Sequence, residues 1–173
     1  TPNTNIQRAP RNGRLFESFS EDPYLSSRMA PAMVCGVQAQ GVAADVKHFA
    51  ANNQETLRQG IDEQISERAL REIYLPGFEA AVKEGGAATV MSAYNSINGV
   101  PCAQNRWLLT DVLKREWGFD GQVVSDWGAV YDQAEALRAG NDMDMPGPRG
   151  KQQLYEAVER GEISMERIDD AAA

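Results

Sequence analysis

The sequence is poor in cysteine and histidine and contains no long hydrophobic run. Its 173 residues include two cysteines, Cys35 and Cys102, and one histidine, His48. Two distant cysteines do not form a disulfide framework. A lone histidine with no second histidine or cysteine at ligand spacing argues against a metal site. No segment approaches the ~20 apolar residues that a membrane span requires. The sequence therefore predicts neither a bound metal nor a membrane partner.

Basic residues are also scarce, with 17 lysines and arginines against 25 aspartates and glutamates, giving a net charge of −8. This balance argues against nucleic acid or an anionic membrane surface as a partner and suits a neutral or cationic small substrate. The first residues lack an initiator methionine and a signal-peptide pattern, and the last residues read as an interrupted helix. We therefore expect a fragment, whose cellular compartment stays open.

Short apolar strands alternate with amphipathic helices along the chain. A helix over 23–39 follows Asp22-Pro23, and Leu25, Met29, Met33 and Val37 form its apolar face. The next helix starts at Ser66-Glu67 and is kinked at Pro76-Gly77. Asn98-Gly99 signals a turn, and Asn105 caps a helix that ends at Gly118. Strands are predicted at 42–46, 88–91 and 121–125, with a short run at 142–145. A helix over 130–139 and two closing helices complete the pattern.

The strands do not alternate in polarity, which favours a parallel α/β fold with helices covering the sheet. Only four or five strands can be counted, whereas a closed (β/α)₈ barrel typically needs about 250 residues. A small open sheet is the alternative. We favour a single domain over residues 1–173 that is a partial (β/α)₈ TIM-type barrel lacking the first strands.

Polar residues collect where the predicted strands end. They are Lys47 and His48 on the first strand, Met91 and Tyr94 on the second, Asp126 and Trp127 on the third, and Asp142 and Asp144 on the last. Active sites of α/β barrels form at this edge. The same placement on four elements therefore predicts a site there.

Asp126 has two interpretations. It can cap the helix over 130–139, or it can be a catalytic carboxylate. Arg14, Lys47 or Arg58 nearby would favour its ionised form, and an ionised, fixed carboxylate can attack an anomeric carbon. Trp127 would then offer an apolar face to a sugar ring; its alternative role is core packing.

Lys47 and His48 can donate hydrogen bonds to hydroxyl groups. Lys47 could instead form a Schiff base, and Arg14 and Arg58 could be solvated surface charges. The carboxylate, tryptophan and several donors favour a neutral polyhydroxylated ligand.

Several segments together resemble glycoside hydrolase family 3. Gly13 to Pro23 is similar to its GR-x-FE-x-(F/Y)-SEDP stretch, and Lys47 to Glu55 to its KHF-x-x-N(N/D)QE segment. Ser125-Asp126-Trp127 resembles its SDW nucleophile motif. Further similarity lies at Ser66 to Tyr74, Met91 to Asn95 and Trp117 to Gly121. The ordered set runs from about Asn5 to Gly147 and is far more specific than any one motif.

The resemblance implies a retaining β-glucosidase with Asp126 as nucleophile and no cofactor. It also implies that Arg14, Lys47, His48, Arg58 and Tyr94 bind sugar hydroxyls, while Met91 and Trp127 shape the pocket. The family's N-acetylglucosaminidases carry a Pro-Gly-His-Gly stretch after KHF, which is absent here, so a β-glucosidase or a relative such as a β-xylosidase is favoured.

The resemblance places two further groups outside this chain. They are a sugar-binding aspartate on the missing part of the barrel and the acid/base glutamate on a following α/β sandwich domain. We therefore expect the chain to be inactive alone. A Schiff-base enzyme using Lys47 and a sugar-binding module without turnover remain as alternatives.

Overall fold

Strands and helices alternate in the computed structural model, which describes residues 1–147 and 150–173. In chain order, the elements are α1 (Pro23–Gln38), β1 (Asp45–Phe49), β2 (Asp62–Glu63), α2 (Glu67–Ala69), α3 (Pro76–Lys83), β3 (Thr89–Ser92), β4 (Ser96–Ile97), β5 (Val100–Pro101), β6 (Gln122–Ser125), α4 (Gln133–Ala139), α5 (Lys151–Glu159) and α6 (Met165–Ala172). Two π-helical segments, Leu70–Tyr74 and Trp107–Glu116, and two short 3₁₀ turns, Leu15–Glu17 and Cys102–Gln104, lie between them.

The central sheet consists of three parallel strands in the order β1-β3-β6. Val46, Val90 and Val123 on these strands are completely buried in one core with residues of the helices. The sheet is extended at both edges by single parallel bridges, from Asn3 to Lys47 and from Met143 to Val124. The predicted α/β fold is thus confirmed, and the predicted last strand at 142–145 pairs through only one residue.

The prediction of the first strand at 42–46 was wrong. Strand β1 runs over Asp45–Phe49, and the Val42 side chain is 59% exposed. Gly41 adopts a positive φ of 73° at the end of α1, and the apolar residues after it form the connection rather than the strand. Lys47 and His48 consequently lie within the strand. The other two strands each begin one residue later than predicted.

Helix α1 has the predicted bounds within one residue but buries a different face. Asp22 caps it by accepting a hydrogen bond from the Tyr24 backbone N–H at 2.8 Å. The predicted face is largely exposed, because Leu25, Met29 and Met33 are each about 45% accessible. Ala30, Pro31 and Val34 are buried instead. The backbone of α1 comes close to the residues after α3 at this point, since a Cβ added to Gly85 would lie 3.0 Å from the Pro31 Cα.

The predicted breaks and caps of the middle helices are confirmed. The helix that starts at Ser66 widens into π-helical turns before Pro76 begins α3. Asn105 accepts a hydrogen bond from the Leu108 backbone N–H at 3.1 Å, and Gly118 has a positive φ just after the second π-helical segment. The π-helical geometry itself was not predicted.

A small second sheet, which the sequence did not predict, follows the carboxyl end of β3. Strands β4 and β5 form a hairpin around the predicted turn at Asn98-Gly99, and β2 pairs with β4 in parallel. After β6, Asp132 caps α4, so this helix starts later than the predicted residue 130. None of the helices in the described part of the chain is long and apolar enough to cross a membrane.

Candidate active site

The candidate site lies on the half-exposed face of the central sheet and at the carboxyl ends of its strands. Along each strand the buried residues alternate with less buried ones. Lys47 and Met91 belong to the less buried set, on the face opposite the buried valines. The backbone N–H of Asp126 donates to the Ser92 carbonyl at 3.0 Å, which fixes Asp126 next to the end of β3.

One carboxylate oxygen of Asp126 accepts a hydrogen bond, and the other faces His48. Its Oδ1 accepts a hydrogen bond from the Trp127 backbone N–H at 2.7 Å. Its Oδ2 lies 3.5 Å from Nε2 of His48 and, among the described residues, has no hydrogen-bond partner although it is buried. The alternative role of helix cap does not hold, because Asp132 caps α4. The carboxylate is therefore held in place through Oδ1.

His48 is a buried, neutral imidazole. Burial and, after it, the positive charges of Arg14, Lys47 and Arg58 together lower its pKa to about 2. Only 1% of the residue is exposed. All three predicted cations therefore act electrostatically on this side chain, which places them near the candidate site.

Glu17 joins two of these cations. Its carboxylate forms an ion pair with the Lys47 ammonium at 3.0 Å and with the Arg14 guanidinium. Burial raises the pKa of Glu17, but the hydrogen bonds from Lys47 and Arg14 outweigh it and leave the pKa below its ordinary value. The Lys47 side chain is engaged in this ion pair, which removes support from the Schiff-base alternative, since that chemistry needs a free amine.

Arg58 and Tyr94 form the other side of the site. The Arg58 guanidinium lies 4.5 Å from the centre of the Tyr94 ring and is paired with Glu55 at 2.8 Å. Tyr94 donates a hydrogen bond to the Trp127 carbonyl at 2.9 Å. Burial, followed by the negative charge of Asp126, raises the pKa of Tyr94, so the phenol is a hydrogen-bond donor at neutral pH.

Trp127 does not pack in the core. Its side chain is 54% exposed at the rim of the site, where it can contact a ligand. Together, the contacts link all the predicted site residues except Met91, which is placed by its strand position alone.

The grouping of Asp142 and Asp144 with this site was wrong. Asp142 has a side chain only 2% exposed and is paired with Lys114 and Arg167. Asp144 accepts hydrogen bonds from Ser125 and Gln133. Both line an apolar cavity of about 490 Å³ beside α4, α5 and α6, whose lining includes none of the predicted site residues.

Sequence reasoning missed three residues that organise the site. Glu17 and Glu55 lie inside the family motifs quoted above, and each pairs with an arginine three residues away in the sequence. That spacing could have indicated the two ion pairs. Asn5 bonds to His48 across 43 residues, and nothing local in the sequence indicates that contact.

Comparison with known proteins identifies the family. The model of the glycosyl hydrolase family 3 N-terminal domain matches residues 1–173. Thermostable beta-glucosidase B of Acetivibrio thermocellus is 54% identical over 94% of this chain, which spans 22% of that protein. An exo-alpha-(1->6)-L-arabinopyranosidase of Bifidobacterium longum is 53% identical over 99% of this chain and 23% of that protein.

Solved structures agree with this result. The structure of beta-glucosidase 3B from Thermotoga neapolitana in complex with glucose matches with a TM-score of 0.96 and 52% identity. The match covers 99% of this chain and 25% of that one. The chain therefore belongs to glycosyl hydrolase family 3 and spans about a fifth to a quarter of the length of these relatives.

Proposed function

We propose that the protein carrying this chain hydrolyses terminal non-reducing β-D-glucosyl residues with retention of configuration, using Asp126 as the nucleophile. The observation that supports the proposal most is the buried Oδ2 of Asp126, which has no hydrogen-bond partner among the described residues. A carboxylate that is held in place through Oδ1 and keeps Oδ2 without a hydrogen bond of good geometry is suited to attack an anomeric carbon.

The reaction has two displacements. In the first, Oδ2 of Asp126 bonds to the anomeric carbon, the glycosidic C–O bond breaks, and the leaving oxygen takes a proton from a general acid. In the second, water loses a proton to the same group and attacks the anomeric carbon, which releases the sugar and restores the carboxylate. Arg14, Lys47, His48, Arg58 and Tyr94 bind the sugar hydroxyls, and Met91 and Trp127 shape the pocket around the ring.

The general acid is proposed to come from outside this chain. A retaining glycosidase needs a protonated carboxyl group ~5–5.5 Å from the nucleophile. Glu17 cannot supply it, because its two ion pairs lower its pKa and keep it ionised. Glu55 is paired with Arg58. We therefore expect the isolated chain to be inactive and a further domain to supply the acid/base residue.

Glucose is the proposed sugar because several relatives are named as β-glucosidases. The arabinopyranosidase among the relatives shows that specificity varies in proteins this similar. A β-xylosidase is the alternative specificity. Xylopyranose differs from glucopyranose only in lacking the C6 hydroxymethyl group, so the contact that recognises that group decides between these two specificities.

The proposal is tested by Asp126→Asn in the complete protein, with Asp132→Asn as the matched control. Asn also serves as a helix cap, so the control keeps α4 intact. We expect Asp126→Asn to lower kcat by roughly 10³- to 10⁶-fold, the range seen when a covalent nucleophile is removed, and the control to stay near wild type. Near-normal turnover by Asp126→Asn would refute the assignment. Sugar binding without turnover in the wild-type protein would indicate a binding module instead.

A further inference from the structure

Asn5 holds both the backbone and the ring of His48. Its Nδ2 donates to the His48 carbonyl at 2.9 Å, and its Oδ1 accepts from the His48 backbone N–H at 3.0 Å. Both residues are buried, at 3% and 1% exposure. Flipping the amide would place donor against donor and acceptor against acceptor, so the two backbone bonds fix which atom of Asn5 faces His48.

The same Oδ1 lies 3.3 Å from Nδ1 of the imidazole. A carboxamide oxygen only accepts hydrogen bonds, so the proton of this contact must sit on Nδ1. A neutral imidazole carries one N–H, and burial together with the surrounding cations keeps this ring neutral by lowering its pKa to about 2. Nε2, the nitrogen that faces Asp126, is therefore left with a lone pair and no proton.

We propose that Asn5 is a positioning residue that sets the tautomer of His48, so that Nε2 accepts a hydrogen bond from a substrate hydroxyl. The tautomer follows from the contacts with Asn5 and the neutrality of the buried ring, whereas the role toward substrate rests on the proposed function. The sequence-based interpretation of Lys47 and His48 as a pair of donors thereby changes. Lys47 remains a donor, and His48 becomes an acceptor.

The tautomer also explains the unpartnered oxygen of Asp126. Two acceptors, Nε2 and Oδ2, face each other at 3.5 Å without a hydrogen between them. A sugar hydroxyl can donate a hydrogen bond to either acceptor. If His48 carried its proton on Nε2, that N–H would itself bond to Oδ2 of Asp126 and compete with the sugar. The arrangement leaves the nucleophilic oxygen without a donor on its His48 side before substrate binds.

The tautomer is measured by ¹⁵N NMR of the ligand-free complete protein labelled at histidine. The His48 signals are assigned by difference from His48→Gln. We expect a protonated Nδ1 and an unprotonated Nε2 at neutral pH, with their characteristic separation in ¹⁵N shift. A protonated Nε2 or an imidazolium at that pH overturns the proposal, whether or not the protein hydrolyses glycosides.

Two substitutions separate positioning from a merely structural role. Asn5→Asp keeps an acceptor at Nδ1, so the wild-type tautomer should persist and the pKa of His48 should rise beside the new carboxylate. Asn5→Leu removes the acceptor and should bring up signals of the Nε2-protonated form. If Asn5→Leu does not fold, the spectra of the wild-type protein and of Asn5→Asp still test whether Nδ1 carries the proton. Loss of the tautomer in Asn5→Asp contradicts the proposal.

The role toward substrate is measured with monodeoxy and monofluoro glucoses as competitive inhibitors. At the position contacting His48, deoxygenation should weaken binding about tenfold in wild type and not in His48→Ala. Fluorine accepts but cannot donate, so at that position the fluoro sugar should bind no better than the deoxy sugar. Recovery of binding with fluorine would show that Nε2 donates, and the absence of such a position would show that His48 contacts no hydroxyl. Either result overturns this part of the proposal, while the Asp126→Asn result stands separately.

Discussion

Replacing Asp142 by Asn should loosen the edge of the sheet that carries Asp126. The Asp142 carboxylate accepts hydrogen bonds from Lys114 at 2.8 and 3.0 Å, from Arg167, and from the Val123 backbone N–H at 2.7 Å. It thus connects β6 to the second π-helical segment and to α6. An asparagine at this position can still accept the hydrogen bond from the Val123 backbone N–H. It removes, however, the negative charge that Lys114 and Arg167 share.

The magnitude follows from burial. Breaking a buried ion pair by removing one partner costs about 3–5 kcal/mol, but Lys114 and Arg167 keep 19% and 18% exposure and both reach Asp170. We therefore expect a local loss of about 2–3 kcal/mol, which corresponds to a roughly 30- to 150-fold larger population of the open state and equally faster amide exchange.

The assay is native-state hydrogen exchange of the complete protein, read on peptides that cover β6. Exchange of protected amides reports the free energy of local opening. Asp111→Asn is the matched control, because Asp111 forms an exposed pair with Arg115 at 3.1 Å that should contribute less than about 1 kcal/mol. Equal exchange in both variants would refute the structural role of Asp142.

Three further predictions concern charge, pH and packing. Glu17→Gln should lower kcat/KM at least about tenfold, since it removes two charge-assisted hydrogen bonds, whereas the exposed Glu79→Gln should not. The pKa of His48 in the folded state, about 2, is below its ordinary value of 6.5, so the unfolded state binds one more proton at mildly acidic pH. The free energy of unfolding should therefore fall by up to about 1.4 kcal/mol per pH unit between pH 6.5 and pH 5. The His48→Gln variant should not show this fall. Gly121→Ala should disrupt β6, because its Cβ would lie 2.2 Å from the Ala88 carbonyl, while Gly36→Ala, with open space, should be neutral or stabilising in urea unfolding.

Elements with a local signal were predictable from the sequence. Asp22-Pro23, Pro76, Asn98-Gly99 and Asn105 act through their own backbone or the next few residues, so the breaks and caps they predict are where the structure has them. The start of β1 was misplaced because Val42 to Ala44 are as apolar as a strand. The buried face of α1 depends on how closely its neighbour approaches, which periodicity does not report.

The sequence indicated the candidate site through unusual residues near the ends of predicted strands. Lys47, His48 and Asp126 were chosen in this way, although Lys47 and His48 lie within β1. Asp142 gave the same signal at the end of the last strand, yet its partner Arg167 lies 25 residues further along the chain and makes it structural. Partners so distant in sequence are set by tertiary packing, and the same reason hid the contact between Asn5 and His48.

Covalent trapping identifies the nucleophile by labelling it. The complete protein is incubated with 2-deoxy-2-fluoro glucosyl and xylosyl traps, and the labelled peptide is mapped by mass spectrometry. We predict a glycosyl ester on Asp126, formed faster with the glucosyl trap. An active enzyme that carries its label on another residue, or none at all, would contradict the account.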